Sequence, residues 1–509
     1  MDWNIAEKEL DKKRKVSLLG GGEEKIINQH KRNKLTARER LHLLFDEGTF
    51  VEINNLSGMC SHSLNMEKEF LDGNGVITGY GEIDGKIVYA YSQDFTIRGG
   101  TLGALHAKKI LAIQKKAFDI RAPFICIIDS GGARIEEGLN SLDGYAQIFF
   151  QHTKASGIIP QVAIVLGSCS GGASYVPALC DFVFMVKDIS RMFLTGPKVV
   201  NTITGKNINA DELGGSDIHY KENGTCHFLY ESESECFANV RKLLSYFSIC
   251  NPIYTARKKK YNMNRCERLT KIVPSNLRKA YDVTEVIKCV FDEQSFLEIQ
   301  AGYAENVIIG FAYLENRSVG IIANQPLKLA GALDFKAANK IARFIRFCDC
   351  FNIPIITLVD VPAFLPGREQ EKEGIIKCGA KMLYAYAEAT VPKITLIMRK
   401  AFGGAYIAMN SKGLGADIVY AWPISEMAVM GPENAIEFLC TKNTNYDTYD
   451  DYLKEYYEKI MSPYVAAQNG YVDEIIKPCE TRERILSGLN VLANKAVNNS
   501  DRKHGNIPL

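Results

Sequence analysis

The chain carries one pattern twice. Phe45-Asp46-Glu47-Gly48-Thr49-Phe50-Val51-Glu52-Ile53 returns as Phe291-Asp292-Glu293-Gln294-Ser295-Phe296-Leu297-Glu298-Ile299. Gly75-Val76-Ile77-Thr78-Gly79-Tyr80 is followed by a hairpin signal and an apolar strand, and Asn306-Val307-Ile308-Ile309-Gly310-Phe311 leads into the same arrangement 231 residues later. Ile128-Asp129-Ser130 aligns with Val359-Asp360-Val361 at that spacing, while Pro160 aligns with Pro392 and Gly171-Gly172-Ala173 with Gly403-Gly404-Ala405 at 232. The first match has the longer offset of 246, which places an extra loop in the first copy between Ile53 and Gly75. Spacing this steady predicts an internal duplication, two copies of one fold of about 200 residues each.

Within each copy, short apolar runs alternate with longer amphipathic ones, the pattern of βαβ units around a mostly buried sheet. Phe124–Ile128, Val162–Leu166 and Ile353–Val359 are near-continuous apolar runs suited to strands covered on both faces, with Pro354 tolerable only near a strand start. Leu102–Phe118 and Ala337–Cys348 carry apolar residues at helical spacing. Thr36-x-x-Glu39 is a capping box ahead of Leu41, Leu44 and Phe45. Asn251–Asp282, basic through Arg257-Lys258-Lys259-Lys260 and with little apolar periodicity, is expected to be a solvated linker. The domain expectation is 1–256 and 257–509.

Composition narrows the function classes. At 509 residues, 46% hydrophobic and 24% charged, the chain is globular and large enough for several full cores. Lys+Arg 61 against Asp+Glu 59 leaves a net charge of +2, so there is no overall basic footprint for nucleic acid and small-molecule chemistry is the better expectation. No apolar run reaches the roughly 18 residues of a membrane span, and the start lacks the apolar region of a signal peptide, so a cytoplasmic location is expected. The 14 cysteines include Cys348-x-Cys350 but no C-x-x-C, and neither H-E-x-x-H nor a comparable metal spacing occurs.

The glycine clusters carry the chemical signal. Gly167-Ser168-Cys169-Ser170-Gly171-Gly172-Ala173 follows the strand ending at Leu166, and Ala401-Phe402-Gly403-Gly404-Ala405-Tyr406 follows Ile394–Met398. Strand, glycine turn and helix start bring backbone N–H groups close to a ligand and can hold an anion or a developing oxyanion. Close helix–strand packing would use the same small residues, but two clusters at matching positions favour two binding sites. Asp129-Ser130-Gly131-Gly132-Ala133-Arg134 ends another strand and offers either ligand contacts or a plain turn. Cys169 sits in a G-x-nucleophile-x-G frame, yet the 8 histidines show no spacing that marks a base for it. Walker A and a strand-following G-x-G-x-x-G are both absent. Candidate oxyanion holes without an evident base suit a reaction in which a second substrate takes the proton from a thioester's α carbon.

Several motifs together resemble the carboxyltransferase subunits of biotin-dependent acyl-CoA carboxylases and decarboxylases. They are Leu35-Thr36-Ala37-Arg38-Glu39-Arg40-Leu41, Asp129–Ile135, Ala155-Ser156-Gly157-Ile158-Ile159-Pro160-Gln161, Phe193-Leu194-Thr195-Gly196-Pro197, Ala323-Asn324-Gln325-Pro326, Arg399–Tyr406 and Lys503-His504-Gly505-Asn506-Ile507-Pro508-Leu509. The similarity runs along nearly the whole chain and is strongest to propionyl-CoA carboxylase beta and methylmalonyl-CoA decarboxylase carboxyltransferase subunits.

The resemblance implies two tandem crotonase-like α/β domains, the first for acyl-CoA and the second for biotin, in a homo-hexamer. It implies that Gly171 and Gly172 hold a thioester enolate, that Gly404 and Ala405 hold the ureido oxygen of biotin, and that Gly131, Gly132, Ala133 and Ile407 line the substrate. It further implies biotin on a separate carrier protein, a CoA thioester substrate and no metal. The implied partners are a biotin carboxylase subunit with a biotin carboxyl carrier, or a membrane decarboxylase partner. Five positions depart from the family's usual pattern. Ser168 and Ser170 stand where Pro and Ala are usual, altering the rigidity expected of the turn. Ala363 stands where glycine is common, so its methyl is expected to crowd a strained backbone. Arg98 replaces an apolar residue. Ile407 lies where propionyl-preferring carboxylases often have Asp, leaving acyl chain length open; the sequence does not separate carboxylation from decarboxylation, and the altered glycine turn leaves open acyl-CoA binding without turnover.

Overall fold

The computed structural model describes residues 2–57, 73–247, 264–440, 449–497 and 504–508. The chain divides into two compact units, Met1–Cys250 and Asn251–Leu509. The expected boundary at 256/257, the 257–260 basic run and most of the extra loop after Ile53 lie outside the described residues, as do Lys503 and Leu509 of the C-terminal motif.

The first unit holds β1 (Val51–Ile53), β2 (Val76–Ile83), β3 (Lys86–Gln93), β4 (Phe124–Ser130), β5 (Gln161–Ser170), β6 (Phe182–Val186), β7 (Arg191–Phe193) and β8 (Phe228–Tyr230). They form one sheet in the order β1-β2-β3-β4-β5-β6-β8, with β7 paired to the end of β5. The second unit holds β9 (Leu297–Ile299), β10 (Val307–Leu314), β11 (Arg317–Asn324), β12 (Ile355–Val361), β13 (Lys393–Phe402), β14 (Ile418–Ala421), β15 (Glu426–Ala428) and β16 (Glu474–Ile475). Its sheet runs β9-β10-β11-β12-β13-β14-β16, with β15 on the end of β13. In both, the first three strands pair antiparallel and the rest are parallel. The ladder slips at the same place in each, between Ile128 and Ser130 and between Val359 and Val361. The duplication read from the sequence is therefore a duplication of topology and register.

The repeated residues explain the repeated shape. Every residue of β4 and β12 is buried, as continuous apolar runs covered on both faces require. Gly79 and Gly310 let the short edge strand lie close: a Cβ there would sit 2.3 Å from the Val51 or Leu297 carbonyl oxygen. Crossover helices Ala104–Asp119 and Phe335–Cys350 follow β3 and β11, and each buries a lysine. Lys109 Nζ donates to the Val76 carbonyl at 2.7 Å, and Lys340 Nζ to the equivalent Val307 carbonyl at 2.9 Å. Pro354 lies just ahead of β12, and the Thr36–Glu39 capping box forms with both bonds made.

Three expectations need correction. Residues 264–282 are not a solvated linker: Leu269, Val273 and Tyr281 belong to the second unit's core, a burial their irregular spacing conceals. Ser168 and Ser170 lie within β5, paired with Arg191 and Phe193 of β7, and their hydroxyls meet at 3.0 Å. The ladder, not a proline, holds that segment. Ala363 is not among the residues with positive φ, so its methyl meets no strained backbone. Positive φ in the second copy falls elsewhere, at Ala304, Leu329 and Ala330 among others, with φ of 48°, 48° and 53°.

One buried charge recurs at the ends of β4 and β12. Asp129 Oδ2 lies 2.6 Å from Lys34 Nζ and 3.1 Å from Arg40 Nη1, and Arg40 also pairs with Glu233 at 2.9 Å and donates to the Leu166 carbonyl at 2.8 Å. Two cations thus balance two carboxylates. In the second unit, Asp360 pairs with Arg399 Nε at 2.8 Å, while Arg399 Nη1 donates to the carbonyls of Pro274, Asn276 and Lys279. Removing one partner of a buried pair costs about 3–5 kcal/mol. Arg40→Met and Arg399→Met are each expected to lower stability by about that amount in urea unfolding of the full chain; a loss below about 1 kcal/mol would show the pair to be dispensable.

Candidate active site

In each unit the longest strand delivers a glycine turn to the sheet's end. β5 runs into Gly171, whose φ of 60° is open to glycine, and a 3-10 turn Gly171–Ser174 leads into the helix Tyr175–Leu179. β13 runs into Gly403 with φ of 59° and directly into the helix Gly403–Ala408. The first N–H groups of a helix have no partner within it, so both turns present backbone donors at a fixed place. β7 and β15 border them: a Cβ on Gly171 would meet the Leu194 carbonyl oxygen at 3.9 Å, and one on Gly403 the Val429 carbonyl oxygen at 2.9 Å.

The two openings differ in their floors. Gly172 is half-buried over the Tyr145 ring, which a Cβ would meet at 2.9 Å. Tyr145 stacks on Phe149, which meets Tyr175 edge-on, so an aromatic column braces the first turn. Nothing lies within 4 Å of the place a Cβ would take on Gly404, which is exposed, while Ala405 behind it is buried. The first opening is bounded beneath, and the second is open to a ligand that approaches the backbone.

The Gly131–Ala133 turn stands beside the first opening. Gly132 approaches Ser170, whose carbonyl oxygen would lie 2.9 Å from a Cβ placed there. Its N–H goes to Ser130 Oγ at 3.1 Å and that of Gly131 to the Gly99 carbonyl at 2.9 Å. These two amides are spent on holding the turn. Gly131 is exposed and Ala133 half-buried, so both can face a substrate by their backbone and methyl surfaces. Ile407 is 49% exposed, one turn past Gly403.

Cys169 is a core residue. It is fully buried in β5, and burial with the nearby Asp129 carboxylate pushes its thiol well above the usual range, the reverse of what a nucleophile needs. Sequence reasoning missed Tyr145, Arg40 and the Lys109–Lys340 pair, because helical spacing alone does not distinguish an inward polar residue from an exposed one. The matching position of the two lysines was the available signal. Native protein treated with iodoacetamide at pH 8 is expected to be alkylated at exposed Cys350 and Cys479 and unmodified at Cys169 by peptide mapping. Rapid alkylation of Cys169 would make it a reachable thiol.

The comparisons agree with this geometry. The carboxyl transferase domain model matches residues 28–507. The chain is 47% identical over 508 residues to the carboxyltransferase subunit of propionyl-CoA carboxylase from Haloferax mediterranei, covering 98% of each. It is 49% identical over 494 residues to methylmalonyl-CoA decarboxylase subunit alpha from Veillonella parvula, covering 96% of each. Among solved structures, the transcarboxylase 12S hexamer with methylmalonyl-coenzyme A bound superposes with a TM-score of 0.94 at 44% identity, covering 100% of both chains. That match bears out the pair of crotonase-like domains. Duplicated sheets, paired glycine openings and similarity along nearly the whole length place this chain in the carboxyl transferase domain family.

Proposed function

We propose that the chain is a biotin-dependent acyl-CoA carboxyltransferase. It moves a carboxyl group between carboxybiotin, carried on a separate protein, and the α carbon of a short-chain acyl-CoA such as propionyl-CoA or acetyl-CoA. The observation that carries this reading is the pair of equivalent backbone openings, one in each unit, at the ends of β5 and β13.

The N–H groups at Gly171 and Gly172 hold the thioester oxygen as it gains charge. Because the sheet and the Tyr145 column fix them beforehand, they need no reorganisation when the charge develops. Gly131, Gly132 and Ala133 form the adjoining wall in the first unit, and Ile407, beside the second unit's own opening, contributes to the fit of the acyl chain through the sites between subunits of the hexamer. The exposed, uncrowded backbone at Gly404 suits a flat ureido ring, with Ala405 contributing the next N–H of the same turn. Biotin, when bound there, supplies the carboxyl group and a ureido nitrogen able to take the α proton, so no side chain of this chain has to act as the base. Apolar residues beside the openings in their own units, Tyr175 and Leu194 in one and Val429 in the other, are exposed. Burying them between subunits of a homo-hexamer accounts for that exposure. Among the described residues no helix is long and apolar enough to cross a membrane.

The test is biotin-dependent decarboxylation of methylmalonyl-CoA and malonyl-CoA by the purified protein. Gly171→Ala, strained at positive φ, is expected to lose about 10²–10³ in kcat, the usual cost of an oxyanion donor. Cys169→Ala is expected to stay within about twofold, since it removes one buried sulfur and no donor. An inactive Cys169→Ala with an unaffected Gly171→Ala would instead support thiol chemistry. Acyl-CoA binding without turnover, beside an active family member, would mean a binding scaffold. Ile407→Asp is expected to shift kcat/KM toward the methylmalonyl substrate relative to malonyl-CoA; an unchanged ratio would remove Ile407 from the acyl site.

A further inference from the structure

Three potential metal ligands converge in the core of the first unit, away from the glycine openings' backbone donors. Cys126 lies in β4, His152 in the helix Leu139–Ala155, and Cys180 just after the helix Tyr175–Leu179. All three are fully buried, and their ligand atoms lie within 4.8 Å of one another. The separation along the chain explains why no metal spacing is visible in the sequence.

The imidazole is already oriented for coordination. His152 Nδ1 lies 2.6 Å from Gln161 Oε1, and Gln161 Nε2 donates to the His152 carbonyl at 3.0 Å. That second bond turns the amide so that its oxygen faces the ring, which places the proton on Nδ1 and leaves the Nε2 lone pair facing Cys126 Sγ at 4.0 Å. A contact of 4.0 Å is at the outer limit of a sulfur hydrogen bond. With Zn–S of about 2.3 Å and Zn–N of about 2.0–2.1 Å, two ligands sharing one ion stand roughly 3.6–3.8 Å apart, so atoms that lie within 4.8 Å of one another close onto an ion by about an ångström or less.

We propose that Cys126, His152 and Cys180 form a buried site for one thiophilic divalent cation of the zinc type. Binding releases one proton from each thiol and forms two S–M bonds and one N–M bond. The 2+ charge meets two thiolates and a neutral imidazole, so the assembly carries no net charge into the apolar core. The Tyr91 hydroxyl, which lies beside Cys126, offers an oxygen for the fourth position. Soft sulfur with imidazole selects zinc over magnesium or calcium. The cation would join β4, three residues before Asp129, to two helices and is independent of the carboxyltransferase reading.

The full-length protein is produced in zinc-supplemented medium and, separately, in cobalt-supplemented medium, then freed of loosely held metal by brief chelation. One zinc per chain is expected, and the cobalt form is expected to show a sulfur-to-cobalt charge-transfer band in the near ultraviolet. Cys126→Ser, Cys180→Ser and His152→Gln are each expected to lose the stoichiometric metal, and Cys350→Ser to retain it. The cobalt spectrum of the unaltered protein decides the matter even where a core variant fails to fold. A metal-free protein without the band overturns the proposal, and so does a metal content that survives Cys126→Ser and Cys180→Ser.

Discussion

A buried aspartate at the end of the fourth strand of each sheet, neutralised by an arginine shut off from water, fixes the positions of both glycine turns. Asp129 and Asp360 stand where the ladder to the next strand slips, the point at which the chain must leave the sheet. Arg40 ties Asp129 to the Leu166 carbonyl of β5, and the Lys400 N–H meets Asp360 across the same junction. An unpaired charge here would be costly to bury, so the folded state admits one arrangement of the two strand ends. The turns that follow inherit it.

The two copies reach that arrangement by different means. In the second unit the cation rises from the strand itself, at Arg399. The equivalent position in the first is Gly167, where a Cβ would lie 2.0 Å from Asp129 Oδ1. The room left by that glycine is taken by the Asp129 carboxylate itself and by Lys34 Nζ, and the positive charge comes from Lys34 and Arg40 of the N-terminal segment, with Glu233 from the helix Glu233–Ser245 completing the balance. Duplication preserved the carboxylate and the geometry it controls, while the source of the positive charge changed. The openings diverged similarly: an aromatic floor beneath Gly172, open space at Gly404.

Backbone donors suit two reactants whose own atoms exchange the proton and the carboxyl group. An amide dipole carries no side-chain entropy and does not titrate in the working range, so its placement depends only on the strand and turn that carry it. Leu194 and Val429 leave exposed apolar surface beside the two openings, and the similar transcarboxylase 12S is a hexamer.

The sequence by itself determined the duplication, the strand and helix order, the capping box and the glycine openings, because each rests on local periodicity or a recurring spacing. The buried aspartates were visible as parts of a motif, but their partners were not. Arg40 and Arg399 look like any surface arginine until the sheet brings a carboxylate to them. Tertiary structure alone drew residues 264–282 into a core, kept Ser168 and Ser170 in a ladder, relieved Ala363 of strain, and set Tyr145 beneath Gly172. It also gathered Cys126, His152 and Cys180 from three separate elements. Burial and pairing belong to whole packed surfaces, and one-dimensional spacing records them only where a single element carries all the partners.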